Sequence, residues 1–280
     1  MNRPLIEGCV DSYASAMAAA RGGADRLELC ANLSIGGTTP SHALFRQVRR
    51  DCGARINVLI RPRFGDFLYT PEELEEMEEE IARFKELGAD GVVIGVLTPD
   101  GELDTTRLAR LMERASGMEV TLHRAFDMTR DPFTALEAAA RLGVTTILTS
   151  GQARSAPAGK ELLRELTARA AGRIDIMAGA GVNQANIRML YEYTGVTSFH
   201  TSARRGAVDS GMRYRKEGVS MGLPSLSEYE IWRTDEEEFR ACAQIVHALS
   251  PSGIRRTGEL TCSGWPCTPG KGAISAAPTP

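Results

Sequence analysis

Four side chains in the first half of the sequence have the types that acid–base and anion chemistry needs. Glu28 offers a carboxylate, Arg61 a planar guanidinium fork, and His123 an imidazole that titrates near neutrality, with Asp127 four residues further on. An imidazole with a nearby carboxylate can pass protons, and a fork of N–H groups can clamp a carboxylate or phosphate. Two cysteines, Cys9 and Cys30, form a second set, because paired thiolates suit a soft ion such as Cu(I). A third set is built from small residues. Gly179, Ala180 and Gly181 sit in Ala178-Gly179-Ala180-Gly181-Val182-Asn183, and Ser202 and Arg204 sit in His200-Thr201-Ser202-Ala203-Arg204. Such segments expose backbone N–H groups ahead of a helix, which suits an anion.

Each set has a plainer alternative. Arg61 could hold its own loop through an Arg–Asp pair in Arg61-Pro62-Arg63-Phe64-Gly65-Asp66-Phe67. His123 could be an interior group satisfied by its neighbours. Ala-Gly-Ala-Gly could be only a tight turn, and the two cysteines only small buried hydrophobes. Position in the fold decides between these readings.

Short apolar runs at 5–10, 26–30, 56–61, 91–97, 119–126, 145–151, 173–179 and 197–203 alternate with helical patterns. Helices are predicted at 12–21, 41–51, 71–87, 104–116, 131–142, 159–171, 183–193 and 235–248. The clearest is 71–87. Thr70 caps it, Pro71 takes its first position, Glu73 completes a capping box, and Leu74, Met77, Ile81 and Phe84 recur at helical spacing. The glutamates between 72 and 80 form its solvated face. Helix-to-strand turns repeat Gly23-Ala24-Asp25, Gly88-Ala89-Asp90, Gly143-Val144-Thr145 and Gly195-Val196-Thr197. Eight strands, each followed by a helix, predict a single-domain TIM (β/α)8 barrel over residues 1–250. No Gly-x-Gly-x-x-Gly follows the first strand, which argues against a doubly wound open sheet. Residues 251–280, rich in Gly, Pro, Ser and Thr, are expected to form a flexible or surface-docked tail.

Strand parity sorts the chemistry. Ile6, Leu27, Leu29, Ile56, Val58, Val120, Leu122 and Ile176 face the helices, so Glu7, Cys9, Glu28, Cys30, Asn57, Arg61, Thr121, His123 and His200 face the barrel interior. Buried carboxylates need partners or a wet cavity, so these groups are expected to meet at the C-terminal mouth, where barrels build their sites.

Net charge excludes a nucleic-acid binder: 33 basic against 36 acidic residues give −3, with no basic stripe. No run reaches the ~18 apolar residues of a membrane span, and the N-terminus lacks the order of a secretory signal. A cytoplasmic address follows, where Cys9, Cys30, Cys52, Cys242, Cys262 and Cys267 should be free thiols.

The chain resembles the CutC, or copper homeostasis, family. The resemblance lies in Glu7-Gly8-Cys9-Val10-Asp11-Ser12, Gly22-Gly23-Ala24-Asp25-Arg26-Leu27-Glu28-Leu29-Cys30, Gly36-Gly37-Thr38-Thr39-Pro40-Ser41, Ile60-Arg61-Pro62-Arg63, His123-Arg124-Ala125-Phe126-Asp127, Leu148-Thr149-Ser150-Gly151 and the two mouth segments above. It implies a cytoplasmic TIM barrel, a homodimer or higher homo-oligomer, linked to copper handling, with Cys9 and Cys30 as Cu(I) ligands. A second expectation comes from the residues themselves: an enzyme acting on a small anionic or phosphorylated metabolite. In it Arg61 clamps the anion, His123 acts as acid/base with Glu28 and Asp127, and Gly179, Ala180, Gly181, Ser202 and Arg204 hold phosphate.

Overall fold

The computed structural model describes residues 3–219, 221–223 and 226–250. The segment expected to form a tail, with Cys262 and Cys267, lies outside the described residues. Eight parallel strands close a barrel in chain order: β1 Leu5–Val10, β2 Arg26–Leu29, β3 Arg55–Leu59, β4 Gly91–Ile94, β5 Glu119–Leu122, β6 Thr146–Thr149, β7 Asp175–Ala178 and β8 Ser198–Thr201. Helices α1 Tyr13–Arg21, α2 His42–Asp51, α3 Pro71–Glu86, α4 Thr105–Arg114, α5 Pro132–Leu142, α6 Lys160–Ala170, α7 Ile187–Thr194 and α8 Glu236–His247 surround it. The predicted (β/α)8 barrel is therefore the architecture found. Several strands stop before the apolar runs do: Cys30, Arg61 and His123 each lie one or two residues beyond their strand, in the loops of the mouth.

Local chemistry explains these elements. The capping box of α3 is complete: the Glu73 amide donates to Thr70 Oγ1 at 3.3 Å, and the Thr70 amide donates to Glu73 Oε2 at 2.8 Å. Three of the four repeated helix-to-strand turns share one device. Asp25 accepts from the Ile6 amide at 2.9 Å, Asp90 from the Ile56 amide at 2.7 Å, and Thr145 from the Val120 amide at 3.2 Å. Each of these side chains ties the entry of one strand to the entry of the strand before it, so the turn sequence sets strand register. Gly88 and Gly143, at φ of +85° and +83°, supply the left-handed turn ahead of two of them.

The main apolar core lies between barrel and helices and contains every residue assigned to the helix-facing parity. Inside the barrel a smaller apolar cluster joins Cys9, Cys30, Leu59 and Val93, with Leu33 against it. One segment was not foreseen. Between β8 and α8 the chain makes an excursion that carries a two-stranded antiparallel ribbon, β9 Ala207–Asp209 and β10 Glu230–Trp232.

Gly91 shows how tightly the interior is filled. A Cβ there would lie 2.4 Å from Asn57 Oδ1 and 2.8 Å from the Glu119 carbonyl oxygen. Gly91→Ala is expected to destabilise the protein by about 1–3 kcal/mol, the usual cost of overpacking. A urea midpoint equal to that of the wild type would refute this packing.

Candidate functional site

The site grows from a fully buried carboxylate. Glu7 on β1 accepts from Arg26 Nε at 2.5 Å through one oxygen and from His200 Nδ1 at 2.8 Å through the other. Strand pairing places both partners: Glu7 is opposite Arg26 on β2 and opposite His200 on β8. Arg26 also reaches Glu119 at 3.5 Å toward the bottom of the barrel. Burial works against the charge on Glu7, but Arg26 and His200 outweigh it and hold its pKa down at about 2. Glu28 lies 3.6 Å from His200. Burial pushes its pKa up to about 7, Glu7 adds to the rise, and His200 and Arg26 oppose it. For His200 burial disfavours the cation, yet Cys9 and the two carboxylates raise its pKa well above the ordinary value.

Above this chain of charges sit the cysteines. Cys9 is opposite Glu28 in the β1–β2 register, and Cys30 follows β2. Their sulfurs are 3.9 Å apart. Cys9 Sγ, Cys30 Sγ and a Glu28 oxygen all lie within 4.8 Å of one another. Glu28 Oε2 is buried without a hydrogen-bond partner. The bond to Cys30 and burial raise the Cys9 pKa well above the usual thiol value; burial raises Cys30. Both are therefore thiols at neutral pH in the metal-free protein. Two sulfurs this close can share one ion, since thiolate ligands at ~2.3 Å from a metal lie at most ~4.6 Å apart.

The residues expected to form a catalytic set are not assembled as one. His123 Nδ1 accepts from the Ala125 amide at 3.1 Å, so its proton is on Nε2, which is buried and has no acceptor. Burial, with the Arg61 charge adding to it, lowers the His123 pKa to about 3. Asp127 does not face His123. The 3-10 turn 124–128 carries it toward β6, where it accepts from Thr149 Oγ1, the Ser150 amide and hydroxyl, and the Gln152 amide, and pairs with Arg124 at 2.7 Å. These bonds tie the turn after β5 to the exit of β6. No hydrogen bond or ion pair joins Glu28 to His123; Glu28 faces His200. Arg61 donates to the carbonyls of Gly36, Gly37 and Gly65 at 3.1, 2.9 and 2.7 Å and stacks on Phe67. It ties loops together as the plainer alternative proposed, through carbonyls instead of an Asp. The nearby ion pair with Asp66 belongs to Arg63.

The small-residue segments do meet. A cavity of about 540 Å³ opens at the C-terminal mouth between the β7 and β8 exits, and Ala180, Gly181, Ser202 and Arg204 line it, with Cys9 and His200 also in its wall. Gly179 is not in that wall; it packs where a Cβ would lie 2.5 Å from Leu148 Cδ1. Ala180 and Ala203 hold φ of +68° and +47°, a strained conformation for alanine. Arg26, which shares its strand parity with Glu28, and Arg124, Arg205 and Glu238, which also line the cavity, are not among the residues expected at the site.

Fold and mouth together define a (β/α)8-barrel protein with a thiol pair set over a buried Arg–Glu–His chain. Comparison with known proteins narrows that class. The CutC family model matches residues 4–205. The chain is 49% identical over 234 residues to a CutC family protein of Bacteroides fragilis, covering 82% of this chain and 92% of that one. It is 46% identical over 243 residues to the human copper homeostasis protein cutC homolog, covering 86% and 89%. A solved CutC structure from Streptococcus agalactiae aligns with a TM-score of 0.68 at 32% identity, over 71% of this chain and 98% of that one. The chain belongs to the CutC family.

The buried neutral His123 gives a pH test. Its folded pKa lies below the unfolded value of ~6.5, so its contribution to stability is complete above ~6.5 and is lost as pH falls toward 3. Below pH 6 the wild type should lose up to ~1.4 kcal/mol per pH unit more than His123→Asn, which keeps an acceptor for the Ala125 amide. Parallel urea-stability curves for the two proteins between pH 7 and 4.5 would contradict the assignment.

Proposed function

We propose that this CutC family member binds Cu(I) in the cytoplasm through Cys9 and Cys30 and acts as a homodimer or higher homo-oligomer. The single observation that supports metal binding is the sulfur pair, 3.9 Å apart on neighbouring strands, with Cys9 reaching the cavity wall. Soft thiolates favour Cu(I) over the harder cations that carboxylates and carbonyls select. The pair is presented by strand ends, so the backbone holds it in place before any ion arrives. Glu28 adds an oxygen to the same cluster; its Oε2 accepts no hydrogen bond and lies 3.6 Å from His200.

Loading the site is a proton exchange. Both cysteines start as thiols, so each bound copper ion displaces two protons while the sulfurs become thiolates. The buried Arg26–Glu7–His200 chain keeps His200 beside Cys9, where its positive charge offsets part of the negative charge of two thiolates. No oxidation or reduction is involved.

Anaerobic titration of the reduced protein with Cu(I) against a competing chelator is expected to give one copper per chain. In weak buffer, close to two protons should be released per copper. Cys9→Ser and Cys30→Ser should each weaken binding by at least ~100-fold, because a hydroxyl is a poor ligand for a soft ion. Unchanged stoichiometry and affinity in the double variant would remove these ligands from consideration.

A further inference from the structure

We propose that the cavity at the mouth is a binding site for a small metabolite bearing an oxyanion, a phosphate ester or a carboxylate, held between the β7 and β8 exits. The inference stands on the cavity and does not depend on copper binding.

Four observations support it. First, the size is right: about 540 Å³ lies within the range of small-molecule sites. Second, the wall is positive. Arg124, Arg204, Arg205 and His200 line it against a single carboxylate, Glu238, which pairs with Arg205 at 2.7 Å and leaves Arg124, Arg204 and His200 as the excess. The carboxylates paired with Arg124 and Arg204, which are Asp127 and Asp11, are not in the wall. They steady the two guanidinium groups without covering their cavity side. Third, donors are left over. Arg204 Nε is buried with no acceptor, and its side chain is only 11% exposed. Among the described residues, no hydrogen bond uses the amides of Ala180, Gly181 and Val182; Val182 is buried, Ala180 half-buried and Gly181 exposed. Unused buried donors cost free energy unless water or a ligand satisfies them. Fourth, strain is concentrated here. The left-handed Ala180 and Ala203 flank the cavity from its two sides, and strain of this kind persists where the surroundings impose it.

These features also indicate which ligand is excluded. A neutral sugar or alcohol offers the unpaired Arg204 Nε and the unused amides only uncharged acceptors, which make weaker hydrogen bonds. An oxyanion satisfies the free N–H groups, and Leu33 gives its organic part an apolar stretch of wall.

The test uses the full-length, reduced, copper-free protein. Binding of inorganic phosphate, glycerol 3-phosphate, citrate and uncharged glycerol is measured by calorimetry and thermal shift. The anions should bind saturably and raise the melting temperature, and glycerol should do neither. Tighter binding of glycerol 3-phosphate than of citrate assigns a phosphate ester, and the reverse assigns a carboxylate. Arg124→Ala should weaken the preferred anion at least tenfold, and Ser202→Glu, which puts a negative charge in the wall, should abolish it. Circular dichroism and melting temperature without ligand check that each variant is folded. Cys30→Ser, which lies outside the cavity wall, should lose copper affinity and still bind the anion as the wild type does, so failure of the copper reading leaves this one standing. Absence of saturable binding by all three anions, or equal affinity in wild type, Arg124→Ala and Ser202→Glu, would overturn the proposal.

Discussion

The hydrogen bonds that Glu7 receives from Arg26 and His200 are the constraint on which the mouth depends. A carboxylate with no solvent exposure cannot stay ionised without opposite charge beside it. Here the partners come from the strands on either side of β1, so the ion pairs also bind three strands across the barrel interior. Gly8 helps to keep that environment dry. A Cβ there would lie 3.0 Å from both Ala19 and Phe239, so the bare backbone lets α1 and α8 close over β1. Buried ion chains contribute little net stability compared with apolar packing. Their effect here is orientation: the Nδ1 bond fixes the imidazole ring, and with it the wall of the cavity next to Cys9.

The cysteine pair has a double character that follows from its place. With protons on, Cys9 and Cys30 pack as ordinary apolar groups with Leu59, Val93 and Leu33. With protons off, the same atoms are soft ligands on a rigid strand frame. In the proposed reading the barrel keeps a filled interior without metal and would not have to refold to accept one. Raised thiol pKa values favour the packed form, so an incoming ion would have to compete with protons.

Much of this was legible from residue types and periodicity. Alternation with period two separated the helix-facing residues from the interior set, and the Gly-Ala-Asp turns marked strand entries. Cys9 and Cys30 came together because both were inward and both ended adjacent strands. Other parts were hidden for physical reasons. Asp127 stands four residues after His123, a helical spacing, yet a 3-10 turn swings it to another strand. Arg61 looked like a free fork, but its acceptors are backbone carbonyls of Gly36, Gly37 and Gly65, and a carbonyl has no sequence signature. Arg26 begins its strand, so its inward side chain sits at the barrel's bottom, where the sequence reading did not look for a site. The β9–β10 ribbon is too short, at three residues a strand, to show a period.

That ribbon leaves and rejoins the barrel at almost one point. The Asp235 amide donates to the Ala203 carbonyl, Thr234 Oγ1 donates to the Ser202 carbonyl, and the Thr234 amide donates to Ser15 Oγ. The base of the excursion is thus stapled shut independently of whatever lies between its two ends. Changes in length or sequence between Arg205 and Thr234 would leave those bonds and the Arg205–Glu238 pair in place, so that outgrowth can vary as a separate module while the barrel beneath keeps its shape.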